Sequence, residues 1–386
     1  MKGQHKLFGI PGSLYTAKVR SYFRKQAIPF EETGPWDQQY QQEVLPQIGR
    51  MIMPVLACPD GTVVQDGADI LRHCSNAGLS RYPLLPASPM LRSIAYLFEL
   101  FGGEGLLRPA MHYRWNFDEI NLDTIRSEFR CLFPAHVSDA DYENLWQAAS
   151  GQMRAATTFF GASVENATVI ESAYAEFLRL LSEHLVEYPY ILGFEPTLAD
   201  FSLMGPMYGH LYRDPHPAQV MRRTAPRVAR WVERVNSGEE NRSEYAQAAM
   251  TPMNDNQLPD TLIQLLEFIA TEYLPEITAH VTFANQWLDD QPDLSAGTNG
   301  LDDPAQRFIG MAEFEWRDRK LTTVVMPYRF YLLQVLQSHY DEASHEAQQT
   351  IKGVYQRTGL APLLNLRTRR PVERRNHLEV WGEPIE

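Results

Sequence analysis

Short apolar runs, broken by glycine, proline and polar residues, open the chain and predict alternating strands and helices. The apolar runs stand at residues 7–10, 28–30, 53–56 and 63–65. Residues 11–13 form a turn before a basic helix predicted over residues 14–26, and Asp60-Gly61 predicts a hairpin turn between the last two runs. A second helix is predicted to start just after Gln65. We therefore predict an α/β unit over residues 1–82.

The remaining chain has the spacing of helices. Ile94, Leu97, Phe98 and Phe101 recur at helical intervals, and residues 201–212 are apolar enough for a buried helix. We predict an all-helical domain over residues 88–240, which ends at a polar break. A mostly helical extension is predicted over residues 250–386, including a helix at 321–340 with Pro327 near its start or at a kink.

Composition narrows the functional classes. The chain has 386 residues, 44% of them apolar, which suffices for two or three domains. Its net charge of −13 argues against general binding of nucleic acid or anionic membranes. We find no apolar run of the roughly 18–20 residues that span a bilayer, and no signal peptide is expected after the polar residues 2–6. Three cysteines without close pairing favour a reducing, cytoplasmic location.

One pair of residues raises the question of a metal. Glu276 and His280 share a helix face at i, i+4 spacing. An isolated pair of this kind is far more often solvated surface than a metal site, and we expect surface here. The sequence predicts no metal.

The hydroxyl of Ser13, at the start of the first helix, has two readings. It can cap the helix by accepting a backbone N–H, which contributes roughly 1 kcal/mol. It can also donate a hydrogen bond to a bound thiolate, since a helix N-terminus favours anions and the thiolate is the nucleophilic form of a thiol. This segment alone favours capping.

Four motifs in order resemble the cytosolic glutathione transferase superfamily. They are Ser-Leu-Tyr-Thr-Ala-Lys-Val-Arg at residues 13–20, Met-Pro-Val-Leu at 53–56, Gln-Asp at 65–66 and Thr-Leu-Ala-Asp at 197–200. The resemblance is to a serine-type, long bacterial-like variant with a C-terminal extension. It covers about 235 residues and implies a thioredoxin-like N-terminal domain followed by a helical domain. No family function extends to the extension.

The resemblance gives the first two motifs roles in binding glutathione. Ser13 falls on the catalytic serine, and Thr16 falls where other classes keep a cysteine, so thiol–disulfide chemistry is not expected. Tyr15 is a further candidate for substrate binding, although we favour a core aromatic there. Pro54 is expected to follow a cis bond, with the backbone of Met53 pairing with the cysteinyl residue of the ligand as an added strand.

The third motif departs from the family. The resemblance implies that Gln65 and the next residue bind the γ-glutamyl end of glutathione, but Asp66 stands where a serine is usual. Asp66 is a sound helix cap. Its carboxylate would repel the γ-glutamyl carboxylate, or would instead hold the γ-glutamyl ammonium, and both alternatives stay open.

The remaining candidates concern the helical part of the chain. Thr197 and Asp200 predict a capping box that opens a buried helix and is structural. By resemblance, Met111, Tyr113 and Trp115 lie in the region that walls the electrophile pocket, with core packing as an equal alternative.

Five arginines cluster near the C-terminus of this acidic chain. They are Arg367, Arg369, Arg370, Arg374 and Arg375. They could bind an anionic partner, but we favour pairing with carboxylates of the protein itself.

The function that the resemblance implies is transfer of the glutathione thiolate to an electrophilic small molecule. Glutathione is then a co-substrate, and no metal or covalent enzyme intermediate is needed. A non-catalytic binding or scaffold protein on the same fold is the first alternative, and a glutathione-dependent lyase or reductase is another. We expect no nucleic-acid or membrane partner, and a homodimer stays open.

Overall fold

The computed structural model describes residues 4–245, 253–255 and 257–385. The first three residues of the predicted α/β unit lie outside the described residues. So do residues 250–252, Asn256 and Glu386 of the predicted extension.

The N-terminal unit is built on a four-stranded mixed sheet. Its strands are β1 (His5–Phe8), β2 (Phe30–Thr33), β3 (Val55–Ala57) and β4 (Val63–Gln65). The order across the sheet is β2-β1-β3-β4, with β1 parallel to β2 and antiparallel to β3, and β3 antiparallel to β4. The β3–β4 hairpin turns at Gly61, whose φ of 91° favours glycine. This is the predicted thioredoxin-like arrangement.

Helices cover both faces of this sheet. They are α1 (Leu14–Lys25), α2 (Leu45–Ile48, after a π-helical turn at Tyr40–Val44) and α3 (Gly67–Asn76). Leu7 and Leu56 belong to the core that α1 and α3 complete. Phe8 and Val55 face the other way, in a separate apolar cluster with the segment that includes α2. The alternation follows from the period-two geometry of a strand.

The second part of the chain is helical, as predicted. Its helices are α4 (Pro89–Leu100), α5 (Leu107–Trp115), α6 (Asp118–Phe129), α7 (Asp139–Ala155), α8 (Ala167–His184), α9 (Leu198–Gly209), α10 (Pro215–Thr224) and α11 (Pro226–Asn236). The predicted capping box of Thr197 and Asp200 opens α9. Helix α9 packs on α1 so closely that a Cβ at Gly209 would lie 2.9 Å from Cα of Leu14.

The extension combines helices with two hairpins. Its elements are α12 (Asp260–Asp289), β5 (Gly310–Trp316), β6 (Arg319–Val325), α13 (Pro327–Glu342), α14 (His345–Arg357), β7 (Val372–Arg375) and β8 (Leu378–Trp381). The hairpins were not predicted. The helix predicted over 321–340 is wrong at its start, because residues 321–325 belong to strand β6. Pro327 is the first residue of α13, where its missing N–H is harmless.

One continuous apolar core runs through the N-terminal unit, the helical domain and the extension. It includes Leu7 from the sheet, Phe98 from α4, Leu266 from α12 and Leu333 from α13. Helices α13 and α14 pack directly on α4. The extension is therefore part of the same folded body.

The expectation that Glu276 and His280 are solvated surface is wrong. Both side chains are buried, and Arg329 donates to Glu276 Oε1 at 2.9 Å and to His280 Nδ1 at 3.0 Å. His280 then carries its proton on Nε2 and donates it to Thr323 Oγ1 at 2.8 Å. Burial and the charge of Arg329 lower the pKa of His280 to about 3, so the ring is neutral at pH 7. The charge of Arg329, which lies about 50 positions later in the chain, compensates the buried carboxylate of Glu276.

The arginine cluster pairs mostly with the protein's own carboxylates, as predicted. The ion pairs are Arg367–Asp341 (2.8 Å), Arg369–Asp289 (2.9 Å), Arg374–Asp69 (3.1 Å) and Arg375–Glu373 (2.7 Å). Arg370 donates to the carbonyl of Gly382 at 3.3 Å. Among the described residues, no helix is long and apolar enough to cross a membrane.

Candidate functional site

The topology of the sheet brings three of the predicted site segments to one edge. Strand β1 ends at this edge and leads to Ser13, β3 starts there just after Met53, and β4 ends there at Gln65. The register pairs Val55 with Gln65, and the N–H of Asp66 donates to the carbonyl of Pro54 at 3.1 Å. Ser13 therefore lies at the same end of the sheet as two segments that follow it by 40 or more positions.

Ser13 is the N-cap of α1. Its Oγ accepts the N–H of Thr16 at 3.2 Å, and the side chain is half-buried. Accepting this bond leaves the hydroxyl proton free to donate to another group. Ser13 therefore caps α1, and it can donate a hydrogen bond to a ligand at the same time.

The loop before Ser13 is held by a buried ion cluster of the helical domain. Arg114 donates to the carbonyl of Gly12 at 2.8 Å and pairs with Asp214 (2.7 Å) and Glu128 (3.0 Å). A Cβ at Gly12 would lie 2.6 Å from Glu128 Oε2, so a larger residue there would displace the carboxylate that pairs with Arg114. The cluster fixes the position of the Ser13 backbone.

Met53 presents an unpaired stretch of backbone at the same edge. The Met53–Pro54 bond is cis, as predicted. Among the described residues, neither the N–H nor the C=O of Met53 forms a hydrogen bond. An extended peptide can pair with both groups, as in the addition of a strand to a sheet edge.

Gln65 and Asp66 have different surroundings. Gln65 is only 3% exposed, yet neither polar atom of its side-chain amide has a hydrogen-bond partner in the described part of the chain. Asp66 caps α3 by accepting the N–H of Ala68 at 2.8 Å, with a φ of 78°. A buried unpaired amide is costly, so Gln65 marks a place where a ligand or water would supply partners.

The extension contributes groups to this edge that sequence reasoning did not place there. Tyr328 donates to Asp66 Oδ1 at 3.0 Å, Tyr331 donates to Asp69 at 2.8 Å, and Arg374 lies 4.0 Å from Asp66 Oδ2. The carboxylate of Asp66 is therefore partly compensated by the protein itself. The alternation Leu378-Glu379-Val380, which follows the turn-favouring Asn376, is a local signal of the hairpin that carries Arg374.

Tyr15 lies beneath the edge and not at an open surface. Its hydroxyl donates to the buried Glu104 at 3.3 Å, and Glu104 pairs with Arg329 at 3.0 Å. Burial and the charge of Glu104 raise the pKa of Tyr15 well above its ordinary value, so the phenol stays protonated. This placement agrees with the preferred reading of a core aromatic, whose ring packs against the main core.

Met111, Tyr113, Trp115 and Thr16 are all buried. Met111 and Trp115 pack in an apolar cluster with α6 and α7. Tyr113 packs against Tyr174, with ring centroids 5.2 Å apart. These contacts favour core packing over a role as pocket walls.

Comparison with a family model identifies the N-terminal unit. Residues 7–77 match the model described as "Glutathione S-transferase, N-terminal domain". The N-terminal domain belongs to the glutathione S-transferase family. The site segments Ser13, Met53 and Gln65-Asp66 all lie within this glutathione transferase domain.

Solved structures similar to the chain include two glutathione transferases and a beta-etherase. A glutathione S-transferase from Methylobacterium radiotolerans, in complex with glutathione sulfonate, is 21% identical; the match covers 65% of this chain and 99% of that one, with a TM-score of 0.37. Beta-etherase LigF from Sphingobium sp. strain SYK-6 is 18% identical, covering 64% and 100%, with a TM-score of 0.45. Glutathione transferase GSTFuA3 from Phanerochaete chrysosporium is 15% identical, covering 62% and 98%, with a TM-score of 0.44. These similarities do not bear on activity. No curated protein matches the chain at a significant level.

Proposed function

We propose that the protein is a glutathione-dependent enzyme that adds the glutathione thiolate to an electrophilic carbon of a small molecule. The observation that carries this proposal is the edge of the glutathione transferase domain, where a free hydroxyl proton of Ser13, the unpaired backbone of Met53 and the unpaired amide of Gln65 meet. Each group suits a different part of a γ-glutamyl tripeptide. We also propose a cytoplasmic location, where glutathione is abundant and thiols stay reduced.

Ser13 would act on the thiol of glutathione. A free thiol has a pKa of about 8.5, and lowering it by about two units requires roughly 2.7 kcal/mol of preferential stabilisation of the thiolate. One charge-assisted hydrogen bond from Ser13 and the positive end of α1 can supply this amount together. The thiolate then forms the sulfur–carbon bond with its lone pair, and a leaving group departs with its electrons.

Met53 and the start of α3 would position the ligand. The backbone of Met53 would pair with the cysteinyl residue, while Gln65, Asp66 and the N–H groups of α3 would hold the γ-glutamyl end. Catalysis then depends on the proximity of the two substrates and on the lowered pKa of the thiol. The reacting atoms belong to glutathione and to the electrophilic substrate.

One observation favours the alternative of a non-catalytic binding protein. Tyr328 and Arg374 already engage Asp66, so part of the γ-glutamyl end of the site is occupied by the extension. In a scaffold protein these contacts would serve only to bind the extension to the domain.

Titration of reduced glutathione into the full chain separates the two functions. We expect binding in the micromolar to millimolar range by calorimetry, and an ultraviolet titration of the complex should show thiolate forming well below the pKa of about 8.5 of a free thiol. Binding with an ordinary thiol pKa would support a non-catalytic protein. Absence of binding at millimolar glutathione would contradict the proposed function.

A further inference from the structure

The β7–β8 hairpin of the extension reaches across the sheet edge and pairs with the glutathione transferase domain on both sides. Glu379 pairs with Arg50 at 2.6 Å, just after α2, and with Arg374 at 2.6 Å within the hairpin. Arg374 also pairs with Asp69 of α3 at 3.1 Å. Arg307, from the segment before β5, lies 3.8 Å from Glu379. We call the group Arg50, Asp69, Arg307, Arg374 and Glu379 the hairpin junction.

Unpaired donors concentrate at the hairpin junction. Three guanidinium nitrogens there are buried without a hydrogen-bond partner among the residues that the structure describes: Nε of Arg50, Nε of Arg307 and Nη2 of Arg374. The amide of Gln65, also unpaired, lies at the adjoining end of β4. Buried polar groups in folded proteins are nearly always paired, with protein, water or a ligand. A group of unpaired donors this dense therefore indicates an acceptor from outside the protein.

The charges at the hairpin junction favour an anion. Burial opposes ionisation of Glu379, but its hydrogen bond to Arg50 and the charges of Arg307 and Arg374 outweigh burial and lower its pKa to about 2. Glu379 is therefore ionised at pH 7, and it still leaves guanidinium donors unpaired. Asp69 already accepts from Tyr331, Arg72 and Nε of Arg374. The Asp66 carboxylate lies 4.0 Å from Nη2 of Arg374, beyond hydrogen-bonding distance.

A ligand can approach the hairpin junction at Arg307. The side chain of Arg307 is 31% exposed, and its one ion pair with the described residues is the 3.8 Å approach to Glu379. Its guanidinium also lies over the ring of Tyr328, 5.7 Å from the centroid. A planar guanidinium held against an aromatic ring, with an edge free, is suited to bind a carboxylate through two parallel hydrogen bonds.

We propose that the hairpin junction binds a carboxylate of a small-molecule ligand, held by Arg307 and Arg374 of the extension together with Gln65 of the N-terminal domain. The identity of the ligand rests on the proposed function, since we take the carboxylate to be one of the two that glutathione carries. Asp66 links the junction to the edge, since its N–H bonds to Pro54 beside the free backbone of Met53. The extension then completes the ligand site.

Arg307→Gln tests this assignment, and Arg375→Gln is its matched control. Arg375 is also an arginine of the extension, and its replacement by glutamine removes the same charge. Unlike Arg307, it is half-exposed and pairs with Glu373 at 2.7 Å. Calorimetry with glutathione and with its dimethyl ester, in which both carboxylates are masked, measures the carboxylate contribution. We expect Arg307→Gln to weaken glutathione binding about tenfold, or about 1.4 kcal/mol, and to leave the ester unaffected. Arg375→Gln should bind both ligands like the unmodified chain.

A second probe separates this assignment from the proposed function. Glutarate, a dicarboxylate without a thiol, should raise the melting temperature of the unmodified chain and of Arg375→Gln, but not of Arg307→Gln. If Arg307→Gln does not fold, Arg307→Lys replaces it, because lysine keeps the charge and loses the planar fork. It should then weaken glutathione binding several-fold.

The outcomes are distinct. Equal glutathione affinity in the Arg307 variant and the unmodified chain would overturn the carboxylate site and leave the proposed function standing. Stabilisation by glutarate that depends on Arg307, without any binding of glutathione, would uphold the site and overturn the proposed function. Failure of both ligands to bind would overturn both.

Discussion

Replacing Ser13 by alanine separates its two roles, and the chain offers a closely matched control. Ser13 and Ser88 each cap a 12-residue helix, each is half-buried, and each accepts the N–H three residues on, at 3.2 Å and 3.3 Å. Loss of either cap should lower the free energy of unfolding by about 1 kcal/mol. Only Ser13 lies at the sheet edge beside Met53.

The activity of the two variants should differ. Losing a hydrogen bond to a thiolate costs about 1.5–3 kcal/mol, which corresponds to a decrease in kcat/KM of roughly 10- to 150-fold for Ser13→Ala. Ser88→Ala should keep the kcat/KM of the unmodified chain. The apparent pKa of the thiol in the pH–rate profile should also rise toward about 8.5 in Ser13→Ala.

The assay measures conjugation of glutathione to an activated aryl halide. The absorbance of the product gives the rate at each pH. Chemical denaturation of both variants measures the stability loss. If Ser13→Ala and Ser88→Ala had the same kcat/KM and the same pH–rate profile, Ser13 would be a helix cap and nothing more.

Three further substitutions test the charges of the structure. Arg329→Met should lower the free energy of unfolding by about 3–5 kcal/mol in urea denaturation, because it leaves Glu104 buried without its ion-pair partner and removes one of the two arginines, Arg108 and Arg329, that pair with Glu276. Asp66→Ser should keep the cap of α3 and raise glutathione affinity in calorimetry, because it removes a negative charge beside the γ-glutamyl carboxylate. His280→Gln should reduce acid destabilisation between pH 7 and pH 5. The pKa of His280 is lowered from 6.5 to about 3, so the folded state keeps the ring neutral while the unfolded state binds a proton below pH 6.5. The stability that the neutral ring provides is complete above pH 6.5 and decreases as the pH falls toward 3. At pH 5 the loss amounts to about 2 kcal/mol.

Each of these substitutions has an outcome that would contradict it. Arg369→Met is the control for Arg329→Met, because it removes an exposed ion pair with Asp289 and should change the free energy of unfolding by no more than about 1 kcal/mol. If Arg329→Met lost no more stability than Arg369→Met, the buried network would not be needed for stability. A fall in glutathione affinity in Asp66→Ser would mean that Asp66 binds the γ-glutamyl ammonium. Identical pH profiles of unfolding for His280→Gln and the unmodified chain would contradict the neutral, buried state of His280.

Local patterns in the sequence predicted the elements whose signals are local. Glycine and proline punctuation predicted the succession of strands and helices along the N-terminal unit, and Thr197 and Asp200 predicted the start of α9, because turns and caps depend on neighbouring residues. Residues 321–325 were assigned to a helix, because a short apolar run fits a strand equally well and only its pairing partner decides between them.

Contacts between distant segments could not be predicted in the same way. Burial of His280 depends on Arg329, which lies in another helix. The docking of Arg374 on α3 depends on a contact across some 300 positions. No periodicity in a single sequence encodes such a pairing, so the part of the candidate site contributed by the extension emerged only from the fold.

A crystal structure of the full chain with bound glutathione tests the central claim most directly. We predict that the sulfur lies within hydrogen-bonding distance of Ser13 Oγ, that the cysteinyl backbone pairs with Met53, and that a carboxylate contacts Arg307. Glutathione bound away from this edge, or an edge left empty in crystals grown with saturating glutathione, would contradict the account.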